Sequence, residues 1–185
     1  MQAVKQRLIK FGAIALLLVV ARVVAADAFS PYVDDSGNIH FPSGFRTSMV
    51  HLGSWFVPTG DASGFHDVYT EKETVDAFRK TGTFPDGATL VKELRVSEAN
   101  NYTTGSGVSY ATKGIKQWFV MIKDAKGRFA DNPLWGDGWG WALYKYADRD
   151  KNVATSYKTD CLGCHLPAKT KDLVYTEGYP TLSAE

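Results

Sequence analysis

Cys161, Cys164 and His165 stand together in the stretch Cys161-Leu162-Gly163-Cys164-His165, and no other residues of the chain are so clearly spaced for chemistry. Two thiols at this spacing can add across the two vinyl groups of one haem, and the histidine that follows is then held where its imidazole binds the iron. The chain has two cysteines, and both fall in this motif. A structural zinc site normally needs four ligands, and no second Cys or His pair at similar spacing completes one. A thioredoxin-like redox pair would sit early in a βαβ unit, which the surrounding sequence does not suggest. A lone disulfide across so tight a loop would leave His165 without a role. The motif therefore reads as one covalently attached haem c per chain, with Cys161 and Cys164 as the thioether residues and His165 as the metal ligand.

Residues 1–26 read as a secretory signal peptide. Lys5, Arg7 and Lys10 form a basic start, Phe11 to Val20 is an apolar run short for a bilayer span, and small residues at 24–26 and 26–28 suit cleavage after Ala26 or Ala28. Arg22 interrupts the late apolar stretch, so no stable membrane anchor is expected. Export fits the haem motif, and the expected compartment is the periplasm. Loss of residues 1–26 removes Lys5, Arg7, Lys10 and Arg22 but no acid, turning a net charge of +1 into −3. That balance offers no basic face for nucleic acid. The expected division is a signal peptide at 1–26 and one haem domain at 27–185, long enough for a real core.

Along that domain the patterns favour strands. Asp34 to Asn38 is a loop, and Phe45 to Val57 reads as a strand, followed by a loop over Pro58 to Gly64. Thr70-Glu71-Lys72-Glu73 has the form of a capping box opening a helix that buries Val75 and Phe78 and stops near Gly82. Phe84-Pro85-Asp86-Gly87 is a turn launching a strand over Ala88 to Ser97. Asn100 to Lys113 is polar and Gly-rich, a loop or hairpin end. Gln117 to Asp124 is apolar on both faces and reads as a central strand. A loop over Asp131 to Gly138 precedes a strand from Trp139 to Tyr146. The segment from Asp148 to Thr159 leads into the haem motif, and Pro167, Gly178 and Pro180 limit regular structure after it. The expected fold is mainly β (α+β), an antiparallel sheet with a few helices in a single c-type haem domain.

One residue breaks the pattern. Alternation from Ala88 to Ser97 puts Lys92 on one face with Leu90, Leu94 and Val96. An amine there must snorkel outward, pair with a charge, lose its proton or be chemically engaged.

The position of the motif narrows the type of cytochrome. A small electron-carrying cytochrome usually has its motif near the mature N-terminus and a Met ligand downstream, and no Met follows His165. The all-helical cytochrome c′ has a late motif but lacks these strands. The stretches Phe84 to Glu93, Trp118 to Asp124, Trp139-Gly140-Trp141 and Cys161 to His165 resemble the cytochrome P-460 family, which includes the β-sheet proteins called cytochrome c′-beta. The resemblance runs from about Phe45 to His165. It implies a mainly antiparallel β homodimer with a five-coordinate, high-spin haem open on its distal side. Members with hydroxylamine chemistry carry a lysine nitrogen bonded to the porphyrin rim, whereas the c′-beta members lack it and bind nitric oxide in an apolar pocket.

Carried over, Lys92 is the first candidate for that lysine, because it matches the family's Val-Lys-Glu strand, and Lys123 is the second. The enzymatic members also use a distal carboxylate. The Gln117-Trp118-Phe119 segment, where it is expected, has no acid, which leaves Glu93 and Glu98 as weaker candidates. Three functions follow as expectations. The first is oxidation of hydroxylamine with electrons passed to a redox partner cytochrome. The second is capture of nitric oxide beneath an apolar cap drawn from Phe56, Phe65, Phe84 and Phe119. The third is simple electron transfer with His51, Met49 or Met121 as sixth ligand. In the first two the partner is a small nitrogen-oxide ligand or substrate.

Overall fold

A computed structural model describes residues 29–102 and 104–183. The expected signal segment lies outside them. One antiparallel sheet of six strands forms the frame: β1 (Val50–Val57), β2 (Gly64–Thr70), β3 (Thr89–Tyr102), β4 (Gly105–Lys123), β5 (Trp135–Gly136) and β6 (Trp139–Lys145). Their order across the sheet is β1-β2-β3-β4-β6-β5. Helix α1 (Phe45–Ser48) precedes the sheet, α2 (Lys72–Thr81) joins β2 to β3, and α3 (Tyr157–Asp160) and α4 (Leu162–His165) follow it. Short 3-10 turns then span Leu166–Lys171, Thr176–Gly178 and Pro180–Leu182. The mainly β, α+β expectation holds.

Both faces of the sheet are covered, which explains why β4 is apolar on both sides. On one face Leu52, Val68, Leu90, Met121, Trp139 and Trp141 form a core, with Val75 and Phe78 of α2 and Leu173, Val174 and Tyr179 of the C-terminal segment packed on it. On the other, Val91, Trp118, Val120, Ile122 and Tyr144 pack against Ile39, Phe41 and Phe45 of the N-terminal segment. That segment is tied down by polar contacts as well: the Tyr144 hydroxyl donates to the Ile39 carbonyl, and Trp135 Nε1 to the Gly37 carbonyl at 2.8 Å.

Several local expectations are corrected. Phe45 to Ser48 forms a helical turn, so the strand begins only at Val50. Its register shifts between His51 and Gly53, and the extra residue puts Leu52 and Trp55 against the same core despite their odd spacing. Gly53 also lies where the C-terminal segment comes closest, since a Cβ there would fall 2.1 Å from the Gly178 carbonyl oxygen. The capping box does not form. Thr70 ends β2 and donates to the Thr89 carbonyl at 2.7 Å, while the Glu71 carboxylate accepts from the Thr89 amide at 3.0 Å and the Thr74 hydroxyl at 3.1 Å. The sequence pattern does not predict the strand over Gly64–Thr70, because of its four buried positions, Gly64, His66, Val68 and Thr70, only Val68 carries an apolar side chain. The polar stretch from Asn100 to Lys113 is a hairpin arm whose β3 and β4 strands continue their pairing, with Glu98 opposite Tyr110 and Asn100 opposite Val108.

Candidate functional site

The core-bearing face that meets the C-terminal segment also holds a cleft. Its floor comes from three central strands, and their register arranges the side chains in rows: His66, Leu94 and Gln117 in one, Val68, Lys92 and Phe119 in the next, then Leu90 with Met121. Opposite this floor lie Cys161, Cys164 and His165, with Val174, Tyr175 and Tyr179 beside them. The interior measures about 180 Å³ and is partly open to solvent.

The two short helices that carry the motif are held by their flanks. The Asp160 carboxylate accepts from the backbone amides of Thr155 at 2.7 Å and Ser156 at 3.1 Å, and these bonds pull its pKa down to about 2. Neither cysteine is engaged in a disulfide. Burial pushes the Cys161 thiol up to about 11, so the neutral thiol is what the fold presents there.

His165 is set for a metal. Its Nδ1 lies 2.7 Å from the Leu173 carbonyl, which makes Nδ1 the protonated nitrogen and leaves Nε2 with a free lone pair. Trp141 meets the ring edge-on at 4.8 Å. Burial lowers the His165 pKa, with the Leu173 bond opposing and the Lys92 charge adding, and a neutral imidazole is the form that binds iron. The Leu173 carbonyl reaches it because Asp172 and Leu173 both adopt left-handed backbone, with φ of 57° and 63°. Such a turn is costly for non-glycine residues, and here it is tied on two sides. Lys123 Nζ pairs with the Asp172 carboxylate at 2.8 Å, and Trp139 Nε1 donates to the Asp172 carbonyl at 3.0 Å.

Lys92 lies on the cleft floor among Val68, Leu90, Leu94 and Phe119. Desolvation lowers its pKa to about 8, against the opposing pull of Cys164 and Cys161, so part of its population at neutral pH is the nucleophilic free amine. Its Nζ sits 4.1 Å from the centre of the Phe119 ring. The residues present fit a haem: two cysteines outside any disulfide, one imidazole with its far nitrogen fixed, and a slot of mostly apolar side chains.

Other candidates lie elsewhere. Lys123 is engaged with Asp172 and lies over Trp139. Glu93 is fully buried on the opposite face, where Arg46 and Trp118 Nε1 donate to it. Glu98 lies on the hairpin arm and accepts from the Tyr110 hydroxyl at 2.8 Å. His51 contacts Ser54 and Asp67 away from the cleft, and Met49 packs on the far core, so of the three candidate sixth ligands Met121 alone borders the cleft. Of the four phenylalanines, only Phe119 does. Sequence reasoning missed His66, on the unexpected strand, and the tail residues Leu173 to Tyr179. The one signal for the latter was a run of Leu, Val and Tyr in a segment otherwise punctuated by Gly and Pro.

A family model described as Cytochrome P460 matches residues 42–176. No curated protein matches the chain.

Proposed function

This chain belongs to the cytochrome P460 family, and from that premise we propose that it oxidises hydroxylamine in the periplasm and passes the electrons to a redox partner cytochrome. The protein carries covalent haem c and acts on nitrogen compounds. The observation that supports the hydroxylamine reading is the placement of Lys92 in one cleft with Cys161, Cys164 and His165, because the resemblance ties a lysine on the porphyrin rim to hydroxylamine chemistry.

In this reading Cys161 and Cys164 would hold the group by thioethers and His165 Nε2 would bind its iron. Lys92 Nζ would be the group that joins the porphyrin rim. The haem would supply an iron that can take a nitrogen ligand and a route for electrons. Val68, Leu94 and Phe119 exclude water around the substrate, so polar contacts in the cleft gain strength. Export belongs to the same proposal, supported by the pattern of residues 1–26 and leaving 27–185 as the haem domain. A homodimer follows from the resemblance.

The apolar floor and the lack of a free carboxylate among the described cleft residues favour nitric oxide capture as the second reading. Anaerobic assays of the holoprotein with hydroxylamine and an artificial electron acceptor separate the two. Wild type should turn over, and Lys92→Ala should lose turnover while still binding nitric oxide. Wild type that binds nitric oxide but leaves hydroxylamine untouched would move the protein to the capture class.

A further inference from the structure

His66 is 5% exposed and belongs to the cleft floor. Its Nε2 faces the Ala62 carbonyl at 2.8 Å, so Nε2 carries the ring proton and Nδ1 presents a lone pair. That Nδ1 is buried and has no hydrogen-bond partner among the described residues. A buried acceptor left unpaired is costly, and such a group in a native fold calls for a ligand, a water or a catalytic role. The ring is stacked on Trp55 at 5.2 Å with 21° between planes, which limits its reorientation.

The register gives His66 a counterpart. Leu94 lies opposite His66 on one side and Gln117 on the other, so the two polar residues share a row about 10 Å apart at two strand spacings. Lys145 Nζ donates to Gln117 Oε1 at 2.5 Å, which leaves the Gln117 amide hydrogens as the free end. The row thus offers an acceptor at one end and a donor at the other. Hydroxylamine carries both donor and acceptor atoms, whereas nitric oxide carries acceptors alone.

We propose that His66 Nδ1 accepts a proton from hydroxylamine in the cleft, and that the Gln117 amide orients the substrate. This rests on the hydroxylamine reading above and supplies the base which that chemistry requires. In the step, an N–H or O–H bond of hydroxylamine breaks, its proton passes to Nδ1 and the electron pair stays on the substrate. The imidazolium then returns the proton to water. Carboxylates do not serve here: Glu93 is on the other face, and Asp160 is engaged by Thr155 and Ser156. The groups that face His66 are Lys92 from β3, Lys116 from β4, Asp67 beside it on β2, and Tyr179 with Cys161, Cys164 and His165 across the cleft. Burial, aided by both lysines and opposed by the Ala62 bond and Asp67, lowers its pKa and keeps it neutral, as a base must be.

The test compares wild-type holoprotein with His66→Gln, in which the side-chain amide can still donate to the Ala62 carbonyl while the Nδ1 acceptor is lost. With kcat/KM expressed per unprotonated hydroxylamine, wild type should lose activity as acid protonates the base. The variant should be lower by about 100-fold or more and flat with pH, with its ferrous spectrum and nitric oxide affinity unchanged. A variant within about threefold of wild type, against that expected span, would overturn the assignment and leave the hydroxylamine reading standing. A second measurement needs no variant. The N–O stretch of the nitric oxide adduct of wild type should fall in frequency from about pH 7 to about pH 4, as the imidazolium begins to donate to it. An unchanged stretch would overturn the assignment. Absent turnover with a pH-dependent stretch would overturn the hydroxylamine reading itself.

Discussion

Replacing Asp172 by alanine should loosen the histidine that the fold prepares for iron, without touching the cleft. Asp172 holds φ at 57°, and an alanine there pays about 1–2 kcal/mol for left-handed backbone that Asp and Asn tolerate better. The lost pair with Lys123 adds less, about 0.5 kcal/mol, because the Asp172 side chain is 38% exposed. Together the cost is about 2 kcal/mol, or about 4–8 °C in the unfolding midpoint of a domain this size. Asp172→Asn keeps the backbone preference and an oxygen for Lys123, so it should cost under about 1 kcal/mol. The turn places the Leu173 carbonyl on His165 Nδ1, and a weakened bond there makes the imidazole a poorer donor to iron. The reduction potential should therefore rise in Asp172→Ala and stay near wild type in Asp172→Asn. Thermal melts and spectroelectrochemical titration of the three holoproteins read both quantities. Equal losses in the two variants, or a potential that moves in neither, would refute the claim that backbone conformation at 172 and 173 sets the ligand.

Three further outcomes follow from the same geometry. Haem should remain with the polypeptide through acid-acetone extraction of wild type, and Cys161→Ala with Cys164→Ala and Lys92→Ala together should release it, since no other thiols exist and the lysine bond is then also lost. Glu93→Gln should cost about 1.5–3 kcal/mol in denaturant unfolding by weakening the charged bonds from Arg46, yet leave hydroxylamine turnover intact because the carboxylate lies on the far face. Asp160 has its pKa lowered to about 2, so its contribution is present above the ordinary value near 3.8 and is lost as pH falls toward 2. Melting midpoints of wild type should thus drop more steeply than those of Asp160→Asn across that window.

The haem motif could be read from sequence because its chemistry is local: two thiols and an imidazole within five residues state their own purpose. Lys92 was legible for a related reason, since an amine among Leu90, Leu94 and Val96 contradicts the strand's alternation. His66 was not. Its strand alternates in burial while His66 and Thr70 are polar, so hydrophobic periodicity does not reveal it. The same limit hid the bulge at Leu52, where one added residue moves Trp55 onto the cleft-side core. Glu93 is a weaker candidate for the distal carboxylate in the sequence, and the alternation that puts Lys92 inward already sets Glu93, its neighbour, on the opposite face of the sheet. The turn at Asp172 and Leu173 depends on Lys123 and Trp139, 49 and 33 residues distant from Asp172, and no local pattern encodes such a tie.

The most direct measurement is the ferrous absorption spectrum of purified wild-type holoprotein, read beside its intact mass. A lysine nitrogen joined to the porphyrin rim alters the conjugated ring, so the Soret band should lie far to the red of an ordinary c-type haem. The spectrum should be high-spin, and the mass should fit a porphyrin held by two thioethers and one further bond. Lys92→Ala should restore the ordinary position. An ordinary c-type Soret band in wild type would contradict the lysine bond and, with it, the hydroxylamine chemistry assigned to this cleft.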